Sequence, residues 1–567
     1  MISMMQPVIN KIYFFLLLLI AFSCRSKSKT DYYAAASALD LKRGEIVSCG
    51  PQDGEMFGTV SFTASVPGSL KNDFNIAIAL LHSFEYDEAE KVFAKIIDQA
   101  PGCAMAYWGV AMCNFHPLWF PPTPPELQKG SKAAQVARSI EGKTKRESDY
   151  IEAIGQFYEH ADRLDHRSRV LNFEKAMQKI YENYPDDEEA VVFYALALDA
   201  AADPNDKSYT NQRKAFALLN PIFEKEPLHP GIAHYIIHNC DYPGLAELGL
   251  PAARKYASIA PASSHAQHMP SHIFTRLGLW NDCIQSNLVS ISSARCYAEK
   301  AKIKGHWDDE LHAMDYLVYA YLQKGQDELA QQQVDCLETI NEVYPVNSKS
   351  AYAFAAIRAR NLLERKMWKQ AAALSLHPAN FPWEKFPWQE AIIHFARAMG
   401  AVNTNNPNEA KEELQKLNLL YDELAKQTDK KQEAGQVAVQ LKTLQAWIEF
   451  KQGNNEKGLN LMRAAADMED GMEKHPVTPG EVTPARELLG EMLLEMNQPV
   501  SALEAFEADL KIRPDRFNGL YGAGLACERA GNKARAAVYF KDLLKSSDAQ
   551  NCKRVELQKA RSFLSHV

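Results

Sequence analysis

The chain has 567 residues, several domain-lengths, and can bury a large core. Its 63 basic and 71 acidic residues leave a formal charge of −8, scattered along the sequence, which excludes a nucleic-acid footprint. After the first 23 residues no stretch is long and apolar enough to span a bilayer.

Residues 1–23 read as a signal peptide. Lys11 is the only charge before an apolar run from Ile12 to Phe22, and Ser23 and Cys24 follow. A short positive region, an apolar core and a small residue form the export signature, and the core is too short to cross a membrane. Ala21-Phe22-Ser23-Cys24 resembles the lipobox of bacterial lipoproteins, with Phe22 larger than the usual residue there. The resemblance implies that Cys24 is lipidated, that 24–45 is a linker, and that the membrane is met through a lipid anchor only. The expected location is then a bacterial outer membrane or its periplasmic face. Plain secretion after cleavage and an uncleaved anchor are the other readings. Nine further cysteines are widely spaced, odd in number and free of any CxxC. Export permits disulfides, but helix packing buries cysteine equally well, so core cysteines are the expectation.

Residues 46–70 read as an N-terminal extended arm, because strand-like alternation occurs only in GTVSFTAS at 58–65. The region 71–114 is helical and carries Ala89, Phe93 and Pro101, with Ala104, Ala106, Tyr107 and Trp108 opening the next helix. The stretch FHPLWFPPTPPELQ cannot be regular helix and makes 115–147 a Pro-rich loop followed by a helix. Helical periodicity then runs through 148–345 and 346–474, with short loops that make neighbours antiparallel. Within it, Pro261 closes one helix pair, and Gly278, Trp280 and Cys283 belong to the next. The last region, 475–567, enters through HPVTPGEVTPARELLG, where Thr483 reads as an N-cap and Pro484 as the first helical residue. Gly490, Ala502, Phe506 and Pro514 follow, and 34 residues later come Gly524, Ala536 and Phe540.

These spacings resemble the tetratricopeptide repeat. The resemblance implies an all-α superhelical solenoid of antiparallel helix pairs with Pro-rich inserted loops. Small residues let paired helices cross closely, the aromatic fills the gap to the next pair, and Pro ends the second helix. Gly490, Ala502, Phe506, Pro514, Gly524, Ala536 and Phe540 are therefore expected to pack. Asp509 stands where the repeat prefers a small residue, which puts the packing of that repeat in question.

Eight of the 16 histidines fall between residues 229 and 312. HPGIAHYIIHNCDYP places His234 and His238 four residues apart, on one helical face, with Pro230 suited to start the helix. SSHAQHMPSHIFTRLGLW gives His268 and His272 the same spacing, with His265 one turn earlier. Pro270 between them sets the expected helix start at 267–269 and leaves His265 at its mouth. In the repeat register both pairs lie on first helices, which line the concave face, so the four imidazoles are expected to converge. Neutral imidazole offers one ring nitrogen for coordination, and two such pairs suit a divalent transition metal such as Zn, Cu, Fe, Ni or Mn. His265, His312, Asp241, Glu310 and Asp315 are candidate helpers, with Asp309 beside them and Glu390…His394 a more distant pair. Against this stands an ordinary buried polar network. No HExxH, GxSxG, Walker A, dinucleotide or zinc-ribbon pattern occurs.

Aromatics cluster twice, at Tyr107, Trp108, His116, Trp119 and Phe120, and at Trp280, Trp307, Tyr316 and Tyr319. They serve core packing or a ligand-stacking groove. The segments LLHSFEYDEAE, CAMAYWGVAM with HPLW, HPGIAHYIIHNCDYP, HMPSHIFTRLGLW and KHPVTPGEVTPARELLG resemble a group of bacterial tetratricopeptide-repeat proteins, in lipoprotein form, with no established activity. That resemblance implies a fold and no mechanism. Three functions stay open. The first is an extracytoplasmic scaffold holding a protein or peptide partner in a concave groove. The second is a metal-dependent enzyme or metal-binding protein that uses the histidines. The third is small-molecule or glycan capture in the groove.

Overall fold

The computed structural model describes residues 34, 36–50, 56–118, 121–548, 550 and 552–566. The expected signal peptide, Cys24, Trp119 and Phe120 lie outside the described residues. The described chain is almost entirely helical, an array of antiparallel helix pairs joined by short turns. Among the described residues no helix is long and apolar enough to cross a membrane. The chain divides into two compact units.

The first unit holds residues up to 46, with 60–81 and 86–201. Its helices include Tyr86–Gln99, Ala104–Cys113, Pro124–Ser139, Lys145–Tyr158, His166–Asn183 and Glu188–Ala200. The segment 60–66 has no helix or strand of its own, and it is held by side chains. Its Phe62 ring sits 5.4–5.6 Å from Phe74, Trp108 and Tyr150, an edge-rich aromatic cluster that fixes the strap to the helices. Glu147 accepts from the Ser65 backbone N–H at 2.6 Å and from its hydroxyl at 2.9 Å. The same carboxylate completes a capping box with Thr144, so one residue starts a helix and anchors the strap.

The second unit holds 47–59, 82–85 and 202 onward. Its helices run from Thr210–Phe223 to Val555–Leu564. The sequence showed no strand here, yet His306–Trp307 and Val343–Tyr344 form a two-residue parallel pair across a helical hairpin. One expectation is corrected for the cysteines. Cys49 and Cys296 form a disulfide, 247 residues apart in sequence. Among the described free cysteines, Cys103, Cys113, Cys240, Cys283 and Cys527 are buried, as apolar packing predicts, while Cys336 and Cys552 are half-buried.

The C-terminal repeats show how the helix pairs close. A Cβ added to Gly490 would meet the Phe506 ring at 2.7–2.8 Å, and one on Gly524 would meet the Phe540 ring at 2.6 Å. Both rings are fully buried, as are Ala502 and Ala536. Pro514 lies two residues past helix Pro499–Ile512, in the turn before helix Phe517–Arg529. Helix Ala485–Glu495 begins one residue later than expected, with Pro484 at the cap and Glu469 accepting the Ala485 N–H at 2.8 Å. Asp509 does not leave a packing defect. It is fully buried and takes a 2.8 Å hydrogen bond from Arg513, which also pairs with Glu481 at 2.7 Å. Burial pushes the Asp509 carboxyl up, towards its neutral form.

The irregular segment 471–484 lies against the histidine-bearing helices of the same unit. Lys474 bonds Asp241, the Thr478 carbonyl accepts from Tyr316, and the Gly480 carbonyl accepts from Tyr352 and Arg360. This second Pro-rich stretch therefore forms part of the surroundings of the candidate site.

Candidate metal centre

Helix Pro230–Cys240 carries the first histidine pair. Pro230 occupies its first turn, and the His229 ring accepts the Ile232 N–H at 3.3 Å as an N-cap. Every residue of the helix is buried, so His234 and His238 face protein and not water. The second pair follows a path the sequence misjudged. Ser263 caps a helix that begins at Ser264, and Met269 stays in helical conformation between Ser264–His268 and Pro270–Arg276. Pro270 sits at the first position of the second piece, where its missing N–H costs little, so the helical path runs on. His265 is the second residue of this run, so it does lie at a helix mouth, but the mouth is at Ser264, three residues earlier than expected.

The four imidazoles do not converge on one point. They split into two triads, each of which recruits a third histidine. His234 and His238 join His265, and His268 and His272 join His312 from helix Asp308–Gln323; within each triad the potential ligand atoms all lie within 4.8 Å of one another.

Hydrogen bonds set the tautomers in the second triad. Asp241 is held as a carboxylate: burial opposes ionisation, but Lys474 and Arg276 at 2.9 and 2.8 Å overcome it and hold the carboxyl well below the usual range. A carboxylate only accepts, so His272 Nδ1, 3.0 Å away, carries the proton. Asn287 donates its Nδ2 to the Cys283 carbonyl at 2.7 Å and so turns its Oδ1 towards His268 Nδ1, also at 2.7 Å. His268 Nδ1 is therefore a donor too. Burial lowers both ring pKa values, further so in His268 because His272 is beside it, and both rings are neutral at pH 7. A neutral imidazole carries one N–H, so both Nε2 atoms present lone pairs, and these face each other at 3.2 Å. Two acceptors at that distance could hold a cation between them. The carboxylate or amide oxygen on each Nδ1–H is the arrangement that orients metal-bound histidines.

The first triad has the same logic at its centre. His234 Nδ1 donates to the His82 carbonyl at 2.7 Å, which leaves a lone pair on Nε2. That atom lies 2.8 Å from His238 Nε2 and 3.1 Å from His265 Nε2. Burial drives His234 down to about 3 and His238 and His265 well below their ordinary value. Phe84 stacks on His238 and His265, with centroids 5.6 and 5.8 Å away, and meets His234 edge-on at 4.5 Å. Tyr256 stacks on His234 at 5.0 Å.

Of the other candidates, Asp241 touches His272 and not the triad's facing nitrogens. Glu310 is buried on Arg295 and His306, at 2.7 and 2.8 Å. Asp315 is buried on Arg360. Asp309 accepts from Ser264 at 3.1 Å and pairs with Lys349. The residues 308–312 therefore scatter, and only His312 joins a triad. The Glu390…His394 pair is a separate ion network completed by Glu413 and Arg397. Sequence reasoning missed Asn287, Lys474 and Phe84. The first two act through contacts 19 and 233 residues away along the chain, which no local spacing reveals.

Beside Asp241 lies a cavity of about 420 Å³, lined by Tyr209, Arg276, Trp280, Tyr319, Glu473 and Lys474 among others. Arg276 and Lys474 thus face both the cavity and the carboxylate that orients His272.

The fold is that of helical-repeat proteins. Residues 487–551 match the tetratricopeptide-repeat family profile. No curated protein sequence matches the chain. Among solved structures, a human IFIT1 dimer with PPP-AAAA is similar at 12% identity and a TM-score of 0.35, over 85% of this chain and 95% of that one. The APC/C hetero-tetramer Cut9–Hcn1 is similar at 12% identity and a TM-score of 0.28, over 87% and 96%. At that level the likenesses say nothing of ligand or activity.

Proposed function

We propose that this chain is an exported metal-binding protein in which His268, His272 and His312 hold a divalent transition metal. The observation that carries the reading is the pair of Nε2 lone pairs facing each other at 3.2 Å, each on a ring whose Nδ1–H is already committed. All-imidazole donors suit Zn, Cu, Ni or Fe over Mg or Ca, which prefer oxygen. A metal bound there supplies Lewis acidity and an activated water where a coordination position stays open. The protein's own part is to keep three rings neutral and to orient two of them from Asp241 and Asn287. Export rests on the leader sequence and agrees with the Cys49–Cys296 disulfide, since such bonds persist in oxidising compartments. Lipidation at Cys24 completes the proposal on the membrane side.

A second reading, capture of a peptide or small molecule, draws support from the cavity beside Asp241. Its walls carry Tyr209, Trp280 and Tyr319 and charges of both signs, with Arg276 and Lys474 committed to Asp241, which suits a ligand with an aromatic ring. The two readings are compatible, because the cavity shares Asp241's partners with the metal centre.

The test is elemental analysis of residues 30–567, purified without chelator or His tag, beside a His268→Ala, His272→Ala variant. A near-stoichiometric divalent metal that disappears in a folded variant is the expected result. Equal metal in both proteins, or none in either after reloading, overturns the reading.

A further inference from the structure

The two triads differ in what surrounds them. The His268 triad has polar neighbours: Asp241, Asn287, Tyr316 and, through Asp241, the charged wall of a cavity. The His234 triad has aromatic ones. Phe84 touches all three of its rings at 4.5–5.8 Å, stacked on His238 and His265 and edge-on to His234, and Tyr256 stacks on His234. Phe84 adopts a φ of +59°, a left-handed backbone that non-glycine residues rarely take, and this places its ring on the triad. His234 and His238 are buried, and His265 is half-buried and forms the open edge.

That geometry has a chemical consequence. His234 Nε2 carries a single in-plane lone pair and has two imidazole nitrogens within 3.1 Å. One lone pair accepts one N–H, whereas an ion accepts a lone pair from all three rings at once. Zinc closes its shell with four ligands, and magnesium and manganese want oxygen. An ion under the Phe84 ring has three nitrogens and an apolar face where a fourth ligand would stand. The d¹⁰ cuprous ion is stable with three neutral nitrogen donors, carries one charge and is the least costly to desolvate.

We propose that His234, His238 and His265 form a second metal site, three-coordinate and selective for cuprous copper, with Phe84 as its roof. The site stands whether or not the His268 centre binds metal. In a chain with both, the roofed site takes Cu(I) and the polar one takes a divalent ion.

The experiment loads the mature protein anaerobically with a cuprous acetonitrile complex, with no reductant, and titrates it against bicinchoninate. Bound copper is counted by mass spectrometry. The variants are His265→Ala, at the half-exposed edge and so least disturbing to the core, Phe84→Ala, and the His268→Ala, His272→Ala pair. Circular dichroism confirms the fold of each. The expected result is one tightly held Cu(I) that survives in the His268/His272 variant and weakens at least tenfold in His265→Ala. Phe84→Ala should lower the preference for Cu(I) over Zn(II) at least tenfold, by admitting a fourth ligand. Copper unaffected by His265→Ala, copper lost only with His268 and His272, or a metal preference indifferent to Phe84 each overturn the proposal. An unmodified protein that holds copper at the His234 triad and no metal at the polar centre defeats the earlier reading and leaves this one standing.

Discussion

The C-terminal repeats and the histidine-bearing repeats of the second unit share one helix-pair grammar and fill it with opposite chemistry. Where the C-terminal pairs meet, Phe506 and Phe540 press on Gly490 and Gly524, and the contact is dry. Where the central helices meet, imidazoles occupy the space, and each needs a partner for both nitrogens. An apolar ring at such a crossing satisfies packing alone. A buried histidine adds a desolvation cost that hydrogen bonds at Nδ1 offset, and at the His268–His272 contact the remaining two nitrogens oppose each other. The difference teaches that a repeat scaffold can change from core to site by exchanging residues at the same interface.

That contrast can be broken in three ways. The largest effect is expected in the dry region. Phe506→Ala empties the space against Gly490 and should cost about 3–5 kcal/mol, read from the denaturant midpoint, with metal content unchanged. A loss of metal in that variant would mean that the two regions are not independent.

A smaller effect is expected from the shell around the histidines. Asn287→Leu removes the acceptor of His268 Nδ1–H and frees that ring to change tautomer. Metal affinity measured by competition with a chromophoric chelator should fall about 10–100-fold. The fold should lose only about 1 kcal/mol for the exchanged hydrogen bonds.

The gentlest probe is pH. His234, His238, His265 and His268 are pushed below their ordinary value by burial, so the metal-free unfolded chain binds more protons than the folded one below about pH 6.5. Their contribution to stability is complete above that pH and falls as acid is added towards the folded values, about 3 for His234. Each histidine contributes up to about 1.4 kcal/mol per pH unit to the slope. Urea melts of metal-free protein between pH 7 and 5 should show the decline, and His238→Leu should reduce the slope. A slope untouched by that change would mean that His238 is protonated in the fold.

Much of the fold was legible because it rests on local spacing. Gly, Ala and aromatic positions recur at 34 residues, and Pro230 marks a helix start in the sequence itself. The histidine pairs were legible for the same reason, since four residues make one helical turn. What the sequence hid was non-local or depended on a backbone exception. Pro270 looked like a helix start, and only the helical conformation of Met269 shows that the path continues through it. Phe84 reaches its triad through a positive φ, and Lys474 reaches Asp241 from a loop 233 residues away. Convergence of four rings was expected from two parallel pairs. The structure gives two triads because His265 and His312 supply the third ring of each, from positions that pairwise spacing cannot rank.

The most direct test of the central claim is X-ray absorption at the zinc edge of mature protein loaded with zinc, compared with the His268→Ala, His272→Ala variant. The account predicts a first shell containing nitrogen at about 2.0–2.1 Å with the outer scattering of imidazole rings, and its loss in the variant. A first shell of oxygen alone, or a spectrum identical in the two proteins, would contradict it.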